Sequence, residues 1–151
     1  MPPGDPALGH SADNQIAGVD IGANAKRVLH DYFYLTSPVI DTTTIEAPTL
    51  EFWRWLDSDY LPFMQNSVEA WDGKAWQVLW QSGEAPSVDD TNWTRVTLDL
   101  TNVSNVKLQV RFGFKIENDG VYSAGSWNLD DVTIGAYGTC VAPILTKVSG
   151  Q

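Results

Sequence analysis

The chain has 151 residues, 43% of them hydrophobic and 11% aromatic, and this length and apolar content predict one globular domain with a sizeable core. The net charge is -10 and the nine basic residues are scattered, which excludes a nucleic-acid-binding protein because phosphate binding needs clustered Lys and Arg. No apolar run approaches the roughly 20 residues that span a bilayer, which excludes membrane insertion.

Residues 1–30 are rich in Gly, Pro, Asp, Asn and Ala and show no sustained hydrophobic period. We predict that they form an irregular lead-in that packs partly on the domain that follows. The opening "MPPGDPALGH" lacks the basic and apolar regions of a signal peptide and is typical of a linker.

From about residue 31 onwards, segments rich in Val, Ile, Thr and aromatic residues alternate with turn clusters, a pattern that predicts strands and no helix. "DYFYLTSPVID" is the first predicted strand, and its Pro38 indicates an edge position or a bulge. "LEFWRWLDSDY" is apolar on both sides, so it is either covered on both faces or presents Trp53 and Trp55 to a ligand.

The next segments continue the strand pattern. "SVEAWDGKAWQVLW" predicts a hairpin closed at Asp72-Gly73, and "TRVTLDL" predicts a strand with Val96 and Leu98 inward. "VKLQVRFGFKI" predicts a strand over 106–116 with one core face and one solvated face.

Strands of this number, with no helix to cover a sheet, must bury their faces on a second sheet. We therefore predict an all-β fold, an antiparallel jelly-roll β-sandwich of two packed sheets, over residues 31–138. Residues 139–151 are predicted to be a tail or a linker, and the single Cys140, which has no internal disulfide partner, is predicted to be unreactive.

The last predicted strand, "SWNLDDVTI", contains two adjacent aspartates. Successive side chains of a strand point to opposite faces, so one carboxylate of Asp130 and Asp131 must point inward unless the strand is bulged. We expect Asp130 to point inward, because Val132 and Ile134 on its face look like core, and to bind calcium or tether the lead-in.

Calcium needs six to eight oxygen ligands from several loops. Besides Asp130 and Asp131, the candidate ligands are Asp13, Asn14 and Asp20 of the lead-in. The alternative is that the aspartates accept backbone N–H bonds and cap loops. Asp57 and Asp59 of "DSDY" are either a further metal site or, the favoured alternative, a solvated turn.

Seven Trp residues are many for a chain of this length, and they belong either to the core or to a binding surface. The candidates for a carbohydrate-binding surface are Trp53, Trp55, Trp71 and Arg54, because sugar-binding modules combine aromatic rings with polar side chains. For each Trp the alternative is packing between the sheets.

Catalysis is not favoured. Both histidines, His10 and His30, lie in the lead-in, and no Gly-x-Ser-x-Gly turn is present for a Ser-His-Asp triad. A glycosidase would use a pair among Glu51, Glu69 and Glu117, whose separation the sequence does not reveal. One Cys and two His give no familiar zinc spacing.

Six segments in order, "YLTSPVID", "LEFWRWLDSD", "VEAWDGKAWQVLWQSG", "WTRVTLDLTNV", "VKLQVRFGF" and "SWNLDDVTI", resemble the MAM-like jelly-roll β-sandwich domains. The chain is most similar to the accessory domains that follow immune-inhibitor-A-type and other secreted bacterial metallopeptidases. The resemblance covers about residues 32–136 and implies a concanavalin-like or MAM-like sandwich, an extracellular location and often a structural calcium. One departure is Gly125-Ser126-Trp127, where that group usually has Gly-Trp.

Together these observations predict a non-catalytic binding or adhesion module of a secreted bacterial protein, stabilised by calcium and binding a glycan or a protein. The alternative is a structural accessory domain that packs on a neighbouring peptidase or other catalytic domain of a parent chain. A small hydrolase is the least favoured alternative.

Overall fold

The computed structural model describes residues 6–11, 13, 15–122 and 124–138. Its regular structure in these residues consists of nine strands and one 3-10 turn at Thr101–Val103. The strands are β1 (Ala17–Gly18), β2 (His30–Thr36), β3 (Pro48–Ser58), β4 (Met64–Trp71), β5 (Trp76–Gln81), β6 (Val88–Asp89), β7 (Thr94–Asp99), β8 (Val110–Ile116) and β9 (Ala124–Ala136). No helix in this part of the chain is long and apolar enough to span a membrane.

The strands form two antiparallel sheets. The five-stranded sheet has the order β1-β9-β3, and the other edge of β3 pairs with both β7 and β6. The four-stranded sheet has the order β2-β8-β4-β5. The chain changes sheet between most successive strands, and the order within each sheet is that of a jelly roll. The predicted all-β jelly-roll sandwich is therefore confirmed.

The core lies between the inner faces of the two sheets. On β8 the alternate residues Val110, Phe112, Phe114 and Ile116 are all buried, as the period-two pattern predicts. The Phe112 ring meets Phe52 of the facing sheet edge-to-face, with centroids 5.1 Å apart. Burial of these alternate side chains on both sheets is the main force that holds the sandwich together.

The strand predicted over 106–116 is shorter than expected. Val106 is exposed, and residues 106 and 107 form a turn in which the Asn105 Oδ1 accepts the Lys107 N–H. Leu108 makes a single bridge to Ile40, and β8 begins only at Val110. The strand predicted from residue 106 is therefore wrong at its start, because this local side-chain bond competes with strand pairing.

Two features predicted from Pro and Gly are confirmed. β2 is an edge strand of the four-stranded sheet and ends at Thr36, before Pro38. The β4–β5 hairpin turns through Asp72 and Gly73; Gly73 has a φ of 97°, and the Asp72 Oδ1 accepts the N–H groups of residues 74 and 75.

Candidate functional site

The lead-in covers the part of the outer face of the five-stranded sheet around Trp53 and Trp93. The His10 ring stacks on Trp53 with centroids 3.6 Å apart, and the Trp93 Nε1 donates to the Leu8 carbonyl oxygen at 3.2 Å. Trp55 meets Trp93 edge-to-face at 5.9 Å. These contacts agree with the covered alternative for this strand, although Trp53 and Trp55 are only partly buried. A sugar-binding role for the two Trp residues stays a prediction.

Arg54 lies on the other face of β3. Its guanidinium donates to both carboxylate oxygens of Asp90, at 2.8 and 3.0 Å, and lies 5.3 Å from the Trp80 ring centroid of the four-stranded sheet. Both side chains of this ion pair are largely buried. The prediction that Arg54 belongs to a ligand-binding surface is corrected, because its side chain bridges the two sheets.

The two adjacent aspartates sit in a β-bulge. Trp53 of β3 pairs with Asp130 and Glu51 pairs with Thr133, so β9 has one extra residue here, and Asp131 has a φ of 48°. The bulge shifts the alternation: Leu129 and Val132 both pack in the core. Asp130 therefore does not share a face with Val132 and Ile134, and the reason given for its inward position is wrong.

Asp130 is nevertheless buried, because the lead-in covers it. Its Oδ2 accepts the N–H of His10 at 2.5 Å and that of Ser11 at 3.4 Å, and its Oδ1 accepts the Asp131 N–H at 2.7 Å. Asp131 is more exposed, and its Oδ2 lies 2.8 Å from the His10 Nδ1. We call these contacts of His10 and Ser11 with the two aspartates the lead-in latch.

Burial raises the pKa of Asp130 above the usual aspartate value, and the Asp131 carboxylate acts in the same direction. The N–H groups of Asp131, His10 and Ser11 oppose this rise by favouring the charged form. The latch therefore matches the tethering alternative: Asp130 accepts backbone N–H bonds and ties residues 10 and 11 to the sheet.

Of the other candidate calcium ligands, the two described acidic residues, Asp13 and Asp20, form no metal-binding cluster with these aspartates. Asp13 is exposed and its Oδ1 accepts the Gln15 N–H at 2.9 Å; Asp20 is also exposed. Asn14 lies outside the described residues, as do Cys140 and the 139–151 tail. No group of three or more His, Cys, Asp or Glu side chains that could hold a metal occurs in the described part of the chain. Calcium binding stays a prediction.

Asp57 and Asp59 are buried, so the solvated turn favoured for them is wrong. The Asp59 Oδ1 accepts the Tyr60 N–H at 3.0 Å, and its Oδ2 accepts the Tyr122 N–H at 2.8 Å. Asp57 pairs with Asp89 at the β3–β6 contact. Asp59 thus joins the end of β3 to the segment before β9.

The outer face of the four-stranded sheet carries the candidate site. Five side chains from all four strands meet there, and we call them the aromatic face: Tyr32, Tyr34, Trp71, Trp76 and Arg111. Tyr34 is 38% exposed, and the two Trp side chains are half-buried, so the aromatic rings stay partly open to solvent. Trp71 is the one residue of the predicted sugar-binding set that lies on this face.

Arg111 organises the aromatic face. Its guanidinium carbon lies 3.7 Å from the Tyr34 ring centroid and 4.0 Å from that of Trp76, so the cation is held between two rings. Its Nε and Nη2 donate to the Glu69 Oε2 at 2.9 and 2.6 Å. Trp71 meets Trp76 at 5.6 Å. The rings are thus fixed by an ion pair beneath them.

The phenol groups are fixed as well. The Tyr32 hydroxyl donates to the Gln65 Oε1 at 2.6 Å, and the Tyr34 hydroxyl donates to the Glu69 Oε1 at 3.2 Å. Burial raises the pKa of Tyr32 to about 12, and burial followed by the Glu69 charge raises the pKa of Tyr34. Both phenols are therefore neutral at physiological pH.

The charges at the centre of this face are paired with one another. Glu69 binds Arg111, and Lys115 of β8 binds Glu117. Gly113 lies between them, and a Cβ there would come within 2.7 Å of the Tyr34 ring. The face therefore combines aromatic surface with neutral hydrogen-bonding groups.

Four of these residues were not predicted as site residues: Tyr32, Tyr34, Trp76 and Arg111. The sequence holds a partial signal, because residues 32 and 34 must share one face of a strand and Arg111 alternates with core residues. The missing information was the order of the strands, which places β8 between β2 and the predicted β4–β5 hairpin.

The glutamates suggested for a glycosidase do not form one site. Glu51 pairs with Arg95 at 2.5 Å on the five-stranded sheet, whereas Glu69 and Glu117 lie on or beside the four-stranded sheet, each paired with a cation. The Glu69 carboxylate also accepts the Ser67 hydroxyl at 2.9 Å. Each carboxylate is engaged in a structural contact.

No family model matches the sequence, and no curated protein matches it. The solved structures to which the fold is similar include two cleaved adhesin domains of Lys-gingipain from Porphyromonas gingivalis W83. The K3 domain has a TM-score of 0.45 and 17% identity, covering 80% of this chain and 72% of that chain. The K1 domain has the same TM-score and identity, covering 89% and 94%. A likeness this weak says nothing about activity, and membership of the MAM-like group stays a prediction.

Proposed function

We propose that the protein is a non-catalytic binding module that holds a neutral glycan chain on the aromatic face. The observation that carries this proposal is the set of aromatic rings fixed around Arg111, partly open to solvent and drawn from all four strands of one sheet. Rings held in place before binding lose little conformational entropy when a ligand arrives. Aromatic side chains with a polar edge suit a ligand that has both apolar and hydroxyl surfaces.

The charge pattern favours an uncharged ligand. The cations Arg111 and Lys115 are already neutralised by Glu69 and Glu117, so a charged ligand would have to break an existing ion pair. The net charge of -10 also opposes an acidic ligand. Neutral sugar rings need only the aromatic surface and hydrogen-bonding groups such as the Gln65 amide.

The test is affinity electrophoresis of the full chain against a panel of soluble neutral polysaccharides, followed by calorimetry with the one that retards it. We expect Trp71→Ala and Trp76→Ala each to weaken binding by about tenfold, or ~1.4 kcal/mol. Tyr122→Ala is the matched control, because Tyr122 is a strongly exposed aromatic residue outside this face.

The proposal would be contradicted if no polysaccharide in the panel retarded the protein. Binding that both Trp variants retain at full strength, while circular dichroism shows them folded, would also contradict it. A variant that loses its fold is replaced by Tyr34→Ala, because that side chain is more exposed.

A second function is compatible with the same fold: an accessory module that packs on a neighbouring domain, as the sequence suggested. Aromatic residues and Arg are also enriched in protein interfaces. We also propose that the module is extracellular and belongs to a secreted bacterial protein. This location rests on the resemblance to accessory domains of secreted proteins described above.

A further inference from the structure

A second site lies at the open side of the sandwich and shares only Tyr34 with the aromatic face. There a cavity of about 810 Å³ separates β1 and β9 of one sheet from β2 and β8 of the other, and we call it the edge cleft. Its lining is mostly apolar and includes Ile16, Val19, Leu35, Phe112 and Leu129. A volume in this range is typical of ligand-binding cavities.

Two apolar side chains at the cleft are unusually exposed. Phe33 of β2 is 64% exposed and Ile21, which follows β1, is 54% exposed. Single exposed apolar residues are common on protein surfaces, but these two line one apolar cavity from opposite sheets. Their position indicates a surface that another apolar group covers.

The backbone beside the cleft is also incompletely paired. On the side of β9 away from β3, β1 pairs only with Leu129 and Asn128. Among the described residues, no strand pairs with residues 132–135 on that side. The N–H and C=O groups that point away from β3 in this stretch are available to an added strand.

The cleft has a one-sided charge. Asp130 and Asp131 are the only carboxylates among the described residues that line it, and no Lys or Arg accompanies them there. Asp130 is held in the lead-in latch, whereas Asp131 is more exposed and has its side-chain contact with the His10 ring. The charge of the cleft therefore complements a cation.

We propose that the edge cleft binds an extended segment of a partner polypeptide that carries alternating apolar side chains and a Lys or Arg. The main chain of the segment adds to β9 along residues 132–135, as in β-strand addition. Alternate apolar side chains enter the cavity beside Val132 and Leu35, toward Phe33, and the basic side chain meets Asp131. The proposed ligand is a peptide and not a small apolar compound, because a small apolar compound would leave the strand edge unpaired.

The test uses a fluorescein-labelled peptide of alternating Val and Thr, about eight residues long, as a typical strand requires, with a terminal Lys. Binding to the full chain is measured by fluorescence anisotropy. We expect the Lys peptide to bind at least about tenfold more tightly than the same peptide with a terminal Glu. We expect Asp131→Asn to remove that difference, because it removes the carboxylate that the Lys meets. Asn is the chosen replacement because it also tolerates the positive φ at this position.

Two variants test the apolar part of the cleft. Phe33→Ser is expected to weaken the Lys peptide by about tenfold, whereas Ile21→Ser, at the far end of the cavity beyond β1, should weaken it less. Because both side chains are more than half exposed, the fold should persist. Val28→Ser, at an exposed residue that does not line the cleft, is the matched control and should bind like the parent. Amide hydrogen exchange should slow at residues 132–135 when the peptide is bound.

Three results would overturn the proposal. The first is no saturable binding of either peptide. The second is binding that Phe33→Ser leaves unchanged. The third is binding that occurs only after residues 139–151 are removed, because the cleft would then be occupied by this chain and not by a partner. None of these experiments alters Trp71 or Trp76, so the proposed glycan site stays independently testable through those two residues.

Discussion

At the scale of single residues, Asp130 shows how an acidic side chain is kept inside a β-sandwich. Asp130 is only 6% exposed, yet its carboxylate accepts backbone N–H groups from His10, Ser11 and Asp131. A buried carboxylate without such partners would cost several kcal/mol. The buried carboxylate therefore fixes the lead-in over the sheet.

We expect Asp130→Ala to lower the free energy of unfolding by about 2 kcal/mol, because it leaves three N–H donors without an acceptor. Asp131→Asn should cost less than about 1 kcal/mol, since residue 131 is more exposed and Asn adopts a positive φ readily. Urea unfolding measures both. Equal small losses in the two variants would show that the latch does not stabilise the fold.

At the scale of strands, the aromatic face depends on how closely β2 and β8 approach. Tyr32 and Tyr34 of β2 lean over Gly113 of β8, and their rings lie 5.3 Å apart. A Cβ on Gly113 would meet the Ser67 Oγ at 2.6 Å and the Tyr34 Cε1 at 2.7 Å. The missing side chain is thus what allows the two tyrosines to cross the neighbouring strand.

We expect Gly113→Ala to displace the tyrosines and to lower the free energy of unfolding by about 1–3 kcal/mol, the usual cost of overpacking. Gly83→Ala is the matched control, because a Cβ at residue 83 would meet no atom within 4 Å. Urea unfolding gives the stability, and near-UV circular dichroism reports the aromatic packing. A Gly113→Ala protein as stable as the Gly83→Ala protein would contradict this account.

At the scale of the whole molecule, the jelly roll presents the two surfaces that we propose for binding. The outer face of the four-stranded sheet carries the aromatic face, and the charged side chains there are paired with one another. The lead-in covers the outer face of the five-stranded sheet around Trp53 and then passes to the edge of β9 beside the edge cleft. The lead-in is therefore part of the folded unit, since it covers Trp53 and pairs with β9.

Calcium binding would change the stability of the whole molecule, because a ligand that binds only the folded state raises the thermal midpoint of unfolding by mass action. On the sequence-based prediction, millimolar calcium should raise the midpoint by several degrees over excess EDTA. The measurement uses the full chain, with millimolar magnesium as the control for ionic strength. An unchanged midpoint would leave the hydrogen-bonded latch as the whole role of Asp130 and Asp131.

Much of the fold could be predicted because alternation is a local property of the chain. Val110, Phe112 and Phe114 occupy one face of β8 in any strand they form, and their burial then requires a second sheet. The hairpin turn at Asp72 and Gly73 follows from the preference of Gly for a positive φ. These features need no knowledge of distant residues.

The site depended on contacts between residues far apart in the chain. Arg54 and Arg111 occupy similar positions in aromatic-rich strands, yet Arg54 is buried against Asp90 while Arg111 lies on the aromatic face. The bulge at Asp131 reversed the alternation on which the prediction for Asp130 relied. The sequence by itself determined which residues can share a face of a strand, because that follows from backbone geometry. Only the tertiary structure decided which strands adjoin and which faces the lead-in covers, because those follow from the packing of the whole chain.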